Sequence, residues 1–191
     1  MKWYSNPAAR KFETVENVQE LAAFHESLSD YAPSPLTECA ALSQELGVGQ
    51  VFMKDKSGQM GMPSFKILGA SWAVFRALSA RLPGEHKPAS LSELKERLPG
   101  EPQLRLVAAM DGNHGRVVAH MANLLGLPTD IFVPRGVSAA AVAAIEGENA
   151  VVTRVAGSYD EAIAIAKAVG ARPYRVQIRD TDWEGYTDIP G

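Results

Sequence analysis

Apolar and polar positions change rhythm along this chain. Between Thr14 and Leu28, apolar residues at Val15, Val18, Leu21, Ala22 and Leu28 follow a capping threonine and predict an amphipathic helix. YAPSPL (31–36) stops it, TECAALSQELG (37–47) predicts a second helix ending at Gly47, and QVFMKDKS (50–57) predicts a short strand. A loop rich in glycine, methionine and serine then leads to FKILGASWAVFRALSARL (65–82), which is apolar on most sides and predicts a helix buried between layers. Between Pro83 and Pro102 the chain turns polar around a small helix with a capping box at Ser90 and Glu93.

Beyond Pro102 the rhythm becomes regular. LRLVAAM (104–110), TDIFVP (129–134), AVVTRVA (150–156) and RPYRVQI (172–178) are short apolar runs separated by helical segments, one of them opened by a capping box at Ser158 and Glu161. Strand alternating with helix at this spacing predicts an α/β fold, a parallel sheet flanked by helices with right-handed crossovers. Ligands in such sheets bind beyond the carboxyl ends of the strands.

The run 104–110 ends in DGNHG (111–115), so Asp111, Asn113 and His114 are expected at that edge, where backbone N–H groups of the turn and helix start can receive an anion such as a carboxylate. The alternative is a tight strand-to-helix turn in which Asp and Asn bond their own backbone and the glycines supply positive φ. The last run ends in RDTDWEGY (179–186), which places Asp180 at the same edge, where paired carboxylates can move protons or simply be solvated. Lys66 opens the apolar helix. One reading is a surface lysine whose stem lies on apolar neighbours. The other notes that a helix N-terminus is the wrong end for a cation and that Phe65, Ile67 and Leu68 hydrate it poorly; both effects favour the neutral amine that a Schiff base needs.

Composition narrows the classes. At 191 residues with 46% hydrophobic content, the chain is long enough for one globular domain or somewhat more. A formal charge of -3 without a basic stripe disfavours nucleic acid as a partner. The one cysteine, Cys39, is expected to be a buried small side chain and suits a reducing compartment. With neither a secretory h-region at the start nor a long apolar run, the expectation is a cytoplasmic protein with no membrane partner. The chain has no G-x-G-x-x-G, no P-loop and no G-x-S-x-G. His114 and His120 are six apart, off the spacing of a zinc pair, so no metal is expected; His25 and His86 are expected at the surface.

Taken together, PSFKILGAS (63–71), DGNHGRVVAHMANLLG (111–126) and RDTDWEGYTDIP (179–190) resemble the pyridoxal-phosphate enzymes of fold type II, the tryptophan synthase β-like family, and within it the diaminopropionate ammonia-lyases. Threonine dehydratases and cysteine synthases usually carry a Ser/Thr-rich turn where this chain has Asp111. The resemblance implies pyridoxal 5'-phosphate as cofactor, held by Lys66 with Phe65 and Asn113 against it, and a substrate carboxylate received by Asp111, Gly112, Asn113, His114 and Gly115. It implies α,β-elimination of 2,3-diaminopropionate to pyruvate and ammonia. Lys66 would take the Cα proton of the L substrate and Asp111 that of the D substrate, with Asp180 assisting or holding the substrate amine.

The resemblance also implies a homodimer at full length. Family members are longer, with a glycine-rich phosphate cup downstream, so the chain is expected to be an N-terminal half. In that expectation residues 1–70 begin the larger domain, 71–185 form the smaller domain and 186–191 start the return. The begun larger domain should then expose apolar surface. Two departures are visible: SAAAVAAIEGENA (138–150) is poor in charge, and KSGQMGM (56–62) lacks the family's arginine before its Met-Gly. A serine or threonine dehydratase, or a non-catalytic fragment, stands as the alternative.

Overall fold

The computed structural model describes residues 18–98, 100, 103–110 and 112–179. The expected cap at Thr14 lies outside them, as do Asp111, Asp180 and the whole of 181–191. The first helix, α1 (Val18–Glu26), buries Phe24 and His25, and the chain beyond it buries Leu28. His25 is thus no surface residue. Being next to Phe24 it shares the inward side, and only His86 of the two is exposed.

The segment 37–47 is not all helix. Leu36–Glu38 form strand β1, which pairs antiparallel with β2 (Phe52–Lys54), opposing Thr37 to Met53. A partner that lies beyond the intervening helix supplies those hydrogen bonds, and local propensity does not register it. Helix α2 (Ala40–Leu46) follows and ends at Gly47, whose left-handed backbone (φ 63°) closes the last turn. Cys39 sits just before α2 and is half-buried, contrary to the expected core position, because among the described residues no layer lies over the β1–α2–β2 unit.

Helix α3 (Lys66–Ser79) buries Ile67, Ala70, Ser71, Val74 and Leu78, an inward face as wide as its composition predicts. In α4 (Leu91–Arg97) Ser90 caps the Glu93 N–H at 3.2 Å, while the Glu93 carboxylate reaches the Ala89 N–H at 2.9 Å and not that of Ser90. The box at Ser158 and Glu161 is complete in both directions.

The four expected runs form one parallel sheet. In chain order come β3 (Arg105–Ala109), α5 (Asn113–Leu125), β4 (Thr129–Val133), α6 (Ala139–Glu146), β5 (Val151–Arg154), α7 (Tyr159–Gly170) and β6 (Arg175–Gln177). The strands lie in the order β5-β4-β3-β6, all neighbours parallel. Alternation sorts their side chains. Leu106, Ala108, Met110, Ile131, Val133, Val176 and Ile178 join the core shared with α3, α5 and α6. Val107, Phe132 and Val155 pack against Ala162 and Ala166 of α7 on the other side.

That order positions the site. The chain steps from β3 to β4 to β5 and then returns to place β6 on the far side of β3, and α7 accordingly covers the opposite face from α5 and α6. The reversal lies between β3 and β6, so the crevice for a ligand falls beyond their carboxyl ends. Among the described residues no helix is long and apolar enough to cross a membrane.

Candidate active site

Lys66 stands at the first turn of α3. The turn is held by Ser64, which is buried and whose Oγ accepts the Lys66 backbone N–H at 3.2 Å, while its carbonyl accepts from the Ile67 N–H. A serine two residues before a helical run is a cap signal, and it was readable in PSFK. Lys66 is half-buried. Its surroundings are less uniformly apolar than expected: Ile67 is fully buried and Leu68 partly so, but Phe65 is 66% exposed. Successive helical residues turn by about 100°, so Phe65 and Ile67 cannot share one side.

The loop that delivers Lys66 is tied down at several points. Asp55 accepts hydrogen bonds from the hydroxyl of Ser57 at 2.7 Å and from its backbone N–H at 2.8 Å, which hold its carboxyl below the usual carboxylate range. Gln59 is buried. Its Oε1 accepts from the Ser34 hydroxyl and from Lys56 Nζ (3.4 Å), and its Nε2 donates to the Ala32 carbonyl at 3.0 Å. Met60 then takes a left-handed backbone (φ 51°) with its side chain buried, a conformation that costs about 1 kcal/mol and persists only where neighbours hold it. None of this network was legible in the sequence.

The second part of the site is the start of α5. Neither Gly112 (φ -169°) nor Gly115 has positive φ, so the expected role of glycine as a turn former does not apply here. A Cβ on Gly112 would meet nothing within 4 Å; the backbone faces open space ahead of a 13-residue helix with no side-chain cap. Such an end suits an approaching anion. Gly115 is needed for the opposite reason, because a Cβ there would collide with the Met110 side chain and come within 3.0 Å of Ile131. Asn113 is exposed, whereas His114 is buried. His120 lies elsewhere, with Nδ1 3.0 Å from the Glu148 carboxylate that also accepts from Arg116 Nε at 3.4 Å.

Helices α3 and α5, which open at Lys66 and at Asn113, pack on each other in the same core and so share one layer. The structure also sets β3 beside β6, with the Ile178 N–H bonded to the Val107 carbonyl at 2.9 Å. The segments that carry Asp111 and Asp180 thus leave neighbouring strands, although both aspartates lie outside the described residues. Two clefts went unanticipated. One, of about 570 Å³, lies at the carboxyl ends of β4 and β5 beside Arg135 and Ser158; the other, about 260 Å³, lies between 30–35 and the Gln59 loop. Among the described residues no group of acidic, histidine or cysteine side chains is placed to hold a metal ion.

Residues 28–189 match the family described as "Pyridoxal-phosphate dependent enzyme". The chain belongs to that family. It is 36% identical to the diaminopropionate ammonia-lyase of Salmonella typhimurium over 99% of its own length and 47% of that protein's. The apo crystal structure of diaminopropionate ammonia lyase from Escherichia coli superposes with a TM-score of 0.83 at 30% identity, covering 90% of this chain and 46% of that one. The L-serine dehydratase/L-threonine deaminase of Mus musculus is 30% identical over 87% of the chain and 45% of its own length. The chain spans about half the length of the curated relatives it matches. Its fold is that of the type II enzymes expected from the motifs.

Proposed function

We propose that this chain carries the cofactor lysine of a pyridoxal-phosphate-dependent ammonia-lyase that eliminates the 3-amino group of 2,3-diaminopropionate, yielding pyruvate and ammonia. One observation supports the reading: α3, whose capped first turn bears Lys66, packs on α5, which opens at Gly112 after the strand beside the sheet's switch point, in a chain similar to a diaminopropionate ammonia-lyase over nearly its whole length. The residues fit the cofactor. Lys66 offers an amine at the end of a fixed turn, exposed Phe65 can cover a ring, and exposed Asn113 can bond a phenolic oxygen. Bound pyridoxal phosphate would supply an electron sink for the pair left on Cα.

The protein's own groups do the rest. Backbone N–H groups from Gly112 to Gly115, with His114 among them, would hold the substrate carboxylate against the positive end of α5. Lys66 would remove the Cα proton from one face and Asp111 from the other, which accommodates both enantiomers, with Asp180 aiding proton transfer or holding the substrate amine.

Residues 1–70 would open a larger domain and 71–185 form the smaller one, with 186–191 leading back. Support comes from Leu36, Leu46, Val48, Phe52 and Met53, all exposed on a two-stranded unit that needs cover to be stable. We place the natural-length protein in the cytoplasm as a homodimer, in keeping with its one cysteine and with the family. The similarity to L-serine dehydratase/L-threonine deaminase favours one second reading, a dehydratase of the same fold. Pyruvate released from diaminopropionate, compared with serine, separates the two. For the lysine itself, borohydride reduction of the natural-length protein with pyridoxal phosphate should leave the label on Lys66, and Lys66→Ala should abolish it. Label on another residue overturns the assignment.

A further inference from the structure

His25 is a buried titratable group that the elimination chemistry does not use. It follows Phe24 on α1, and Phe24 anchors that helix across α3 by ring contacts with Trp72 (5.2 Å) and Phe75 (4.5 Å). One residue on, His25 Nε2 lies 2.8 Å from the carbonyl oxygen of Leu68. Leu68 belongs to the first turn of α3, two residues past Lys66. The hydroxyl of Ser71 donates to the same carbonyl at 2.9 Å and sits 3.4 Å from the ring nitrogen. Tyr31 stacks on the imidazole, with centroids 6.1 Å apart and planes within 16°.

A carbonyl only accepts, so Nε2 carries the hydrogen and the neutral ring is the Nε2–H tautomer. A helix end is held by few intrahelical bonds and is the first part to fray. A tie from another helix to the first turn therefore controls that turn more than a tie farther along would. We infer that His25 is a positioning residue for Lys66: its bond to the Leu68 carbonyl sets the rotation of the first turn of α3 and hence the direction in which the Lys66 side chain leaves it. The inference rests on the reading of Lys66 as the cofactor lysine. It explains why a histidine occupies a place that packing alone would give to an apolar residue.

A consequence is sensitivity to acid. Among the described residues, the ring feels the charge of Lys56, from the loop after β2, and stacks with Tyr31, while α3 presents Leu68 and Ser71 to it. Burial first, and the Lys56 charge to a lesser degree, oppose a second proton, whereas the Leu68 bond favours it; the net effect holds the ring's pKa below its ordinary value. Once protonated, the ring gains by moving to water, and the tie weakens.

Hydrogen exchange on the natural-length protein without cofactor tests this. In His25→Ala the peptide 66–72 should exchange about tenfold faster, the worth of one buried hydrogen bond, while 116–124 in α5 is unchanged. His25→Gln, which keeps a donor, should restore most of the protection. With pyridoxal phosphate added, half-saturation should rise by a similar factor in His25→Ala and return in His25→Gln. Equal exchange in native and His25→Ala protein overturns the inference; so do faster exchange in both segments, no rescue by glutamine, or unchanged half-saturation. Should His25→Ala not fold, ¹⁵N shifts of the native imidazole decide: an Nε2–H tautomer near neutral pH supports the tie and an Nδ1–H tautomer refutes it. Exchange and tautomer are read without cofactor, so they can hold while borohydride labels another residue, or fail while it labels Lys66.

Discussion

Replacing Gly115 by alanine should reveal why the DGNHG turn holds two glycines. The new methyl would meet the Met110 side chain and approach Ile131 Cγ2 to 3.0 Å, and both neighbours are essentially unexposed, at 1% and 0%. Overpacking of this kind costs about 1–3 kcal/mol. Against it stands a gain of about 1 kcal/mol, because glycine is that much poorer than alanine inside a helix. With Ile131 fixed on a central strand, the collision should cost the upper part of that range, about 2–3 kcal/mol, and leave a net loss of about 1–2 kcal/mol. That is a fall in Tm of about 2–8 °C for a protein of this size.

Gly112→Ala is the matching control, since its Cβ would meet nothing within 4 Å. Its stability should stay within about 0.5 kcal/mol of native, while KM for the amino-acid substrate rises if, as proposed, the substrate carboxylate approaches the space that the methyl would fill. Thermal melts and urea midpoints on the natural-length protein, with steady-state kinetics, read both effects. A Gly115→Ala protein as stable as the native one, or a Gly112→Ala protein that loses as much, would refute this account of the turn.

The remaining expectations concern the ties around Lys66. His25 is held neutral in the folded protein below its ordinary value of 6.5, so the unfolded chain binds the proton first. Stability should therefore be full above about pH 6.5 and decline as the pH falls from there toward the folded value. His25→Gln should flatten that slope in pH-dependent melts, and an unchanged slope assigns it to other groups. Gln59→Leu removes the partners of Ser34 and Lys56 and the donor to the Ala32 carbonyl. It should cost about 2–3 kcal/mol, read as a lower urea midpoint at constant m; a loss under 0.5 kcal/mol would show that the loop is held by something else.

Much of the fold could be read before any coordinates. The four runs from 104 to 178 are strands because short apolar segments with β-branched residues alternate with capped helices, and Ser158 with Glu161 marked a helix start correctly. Reading failed where the deciding partner is remote. Thr37 and Glu38 became strand through β2, Cys39 was left half-buried because no layer among the described residues covers its unit, and His25 was drawn inward by Leu68 and Ser71. Of the candidate site, Lys66 and the 112–115 turn stood out by residue type and Ser64 offered a cap signal, whereas Gln59 and Met60 did not stand out, since their roles lie in contacts.

Local chemistry in the chain was sufficient for the alternation of strand and helix, the lysine at a helix start, the glycine-rich turn after β3 and the family they resemble. Spatial order was not. That β6 returns beside β3, that α3 and α5 share a layer, and that α1 reaches across to the first turn of the lysine helix all follow from burying two faces of one sheet at once. Hydrophobic burial is non-directional, so the pattern of apolar residues specifies which surfaces must be covered, and only the assembled layers specify which element covers each.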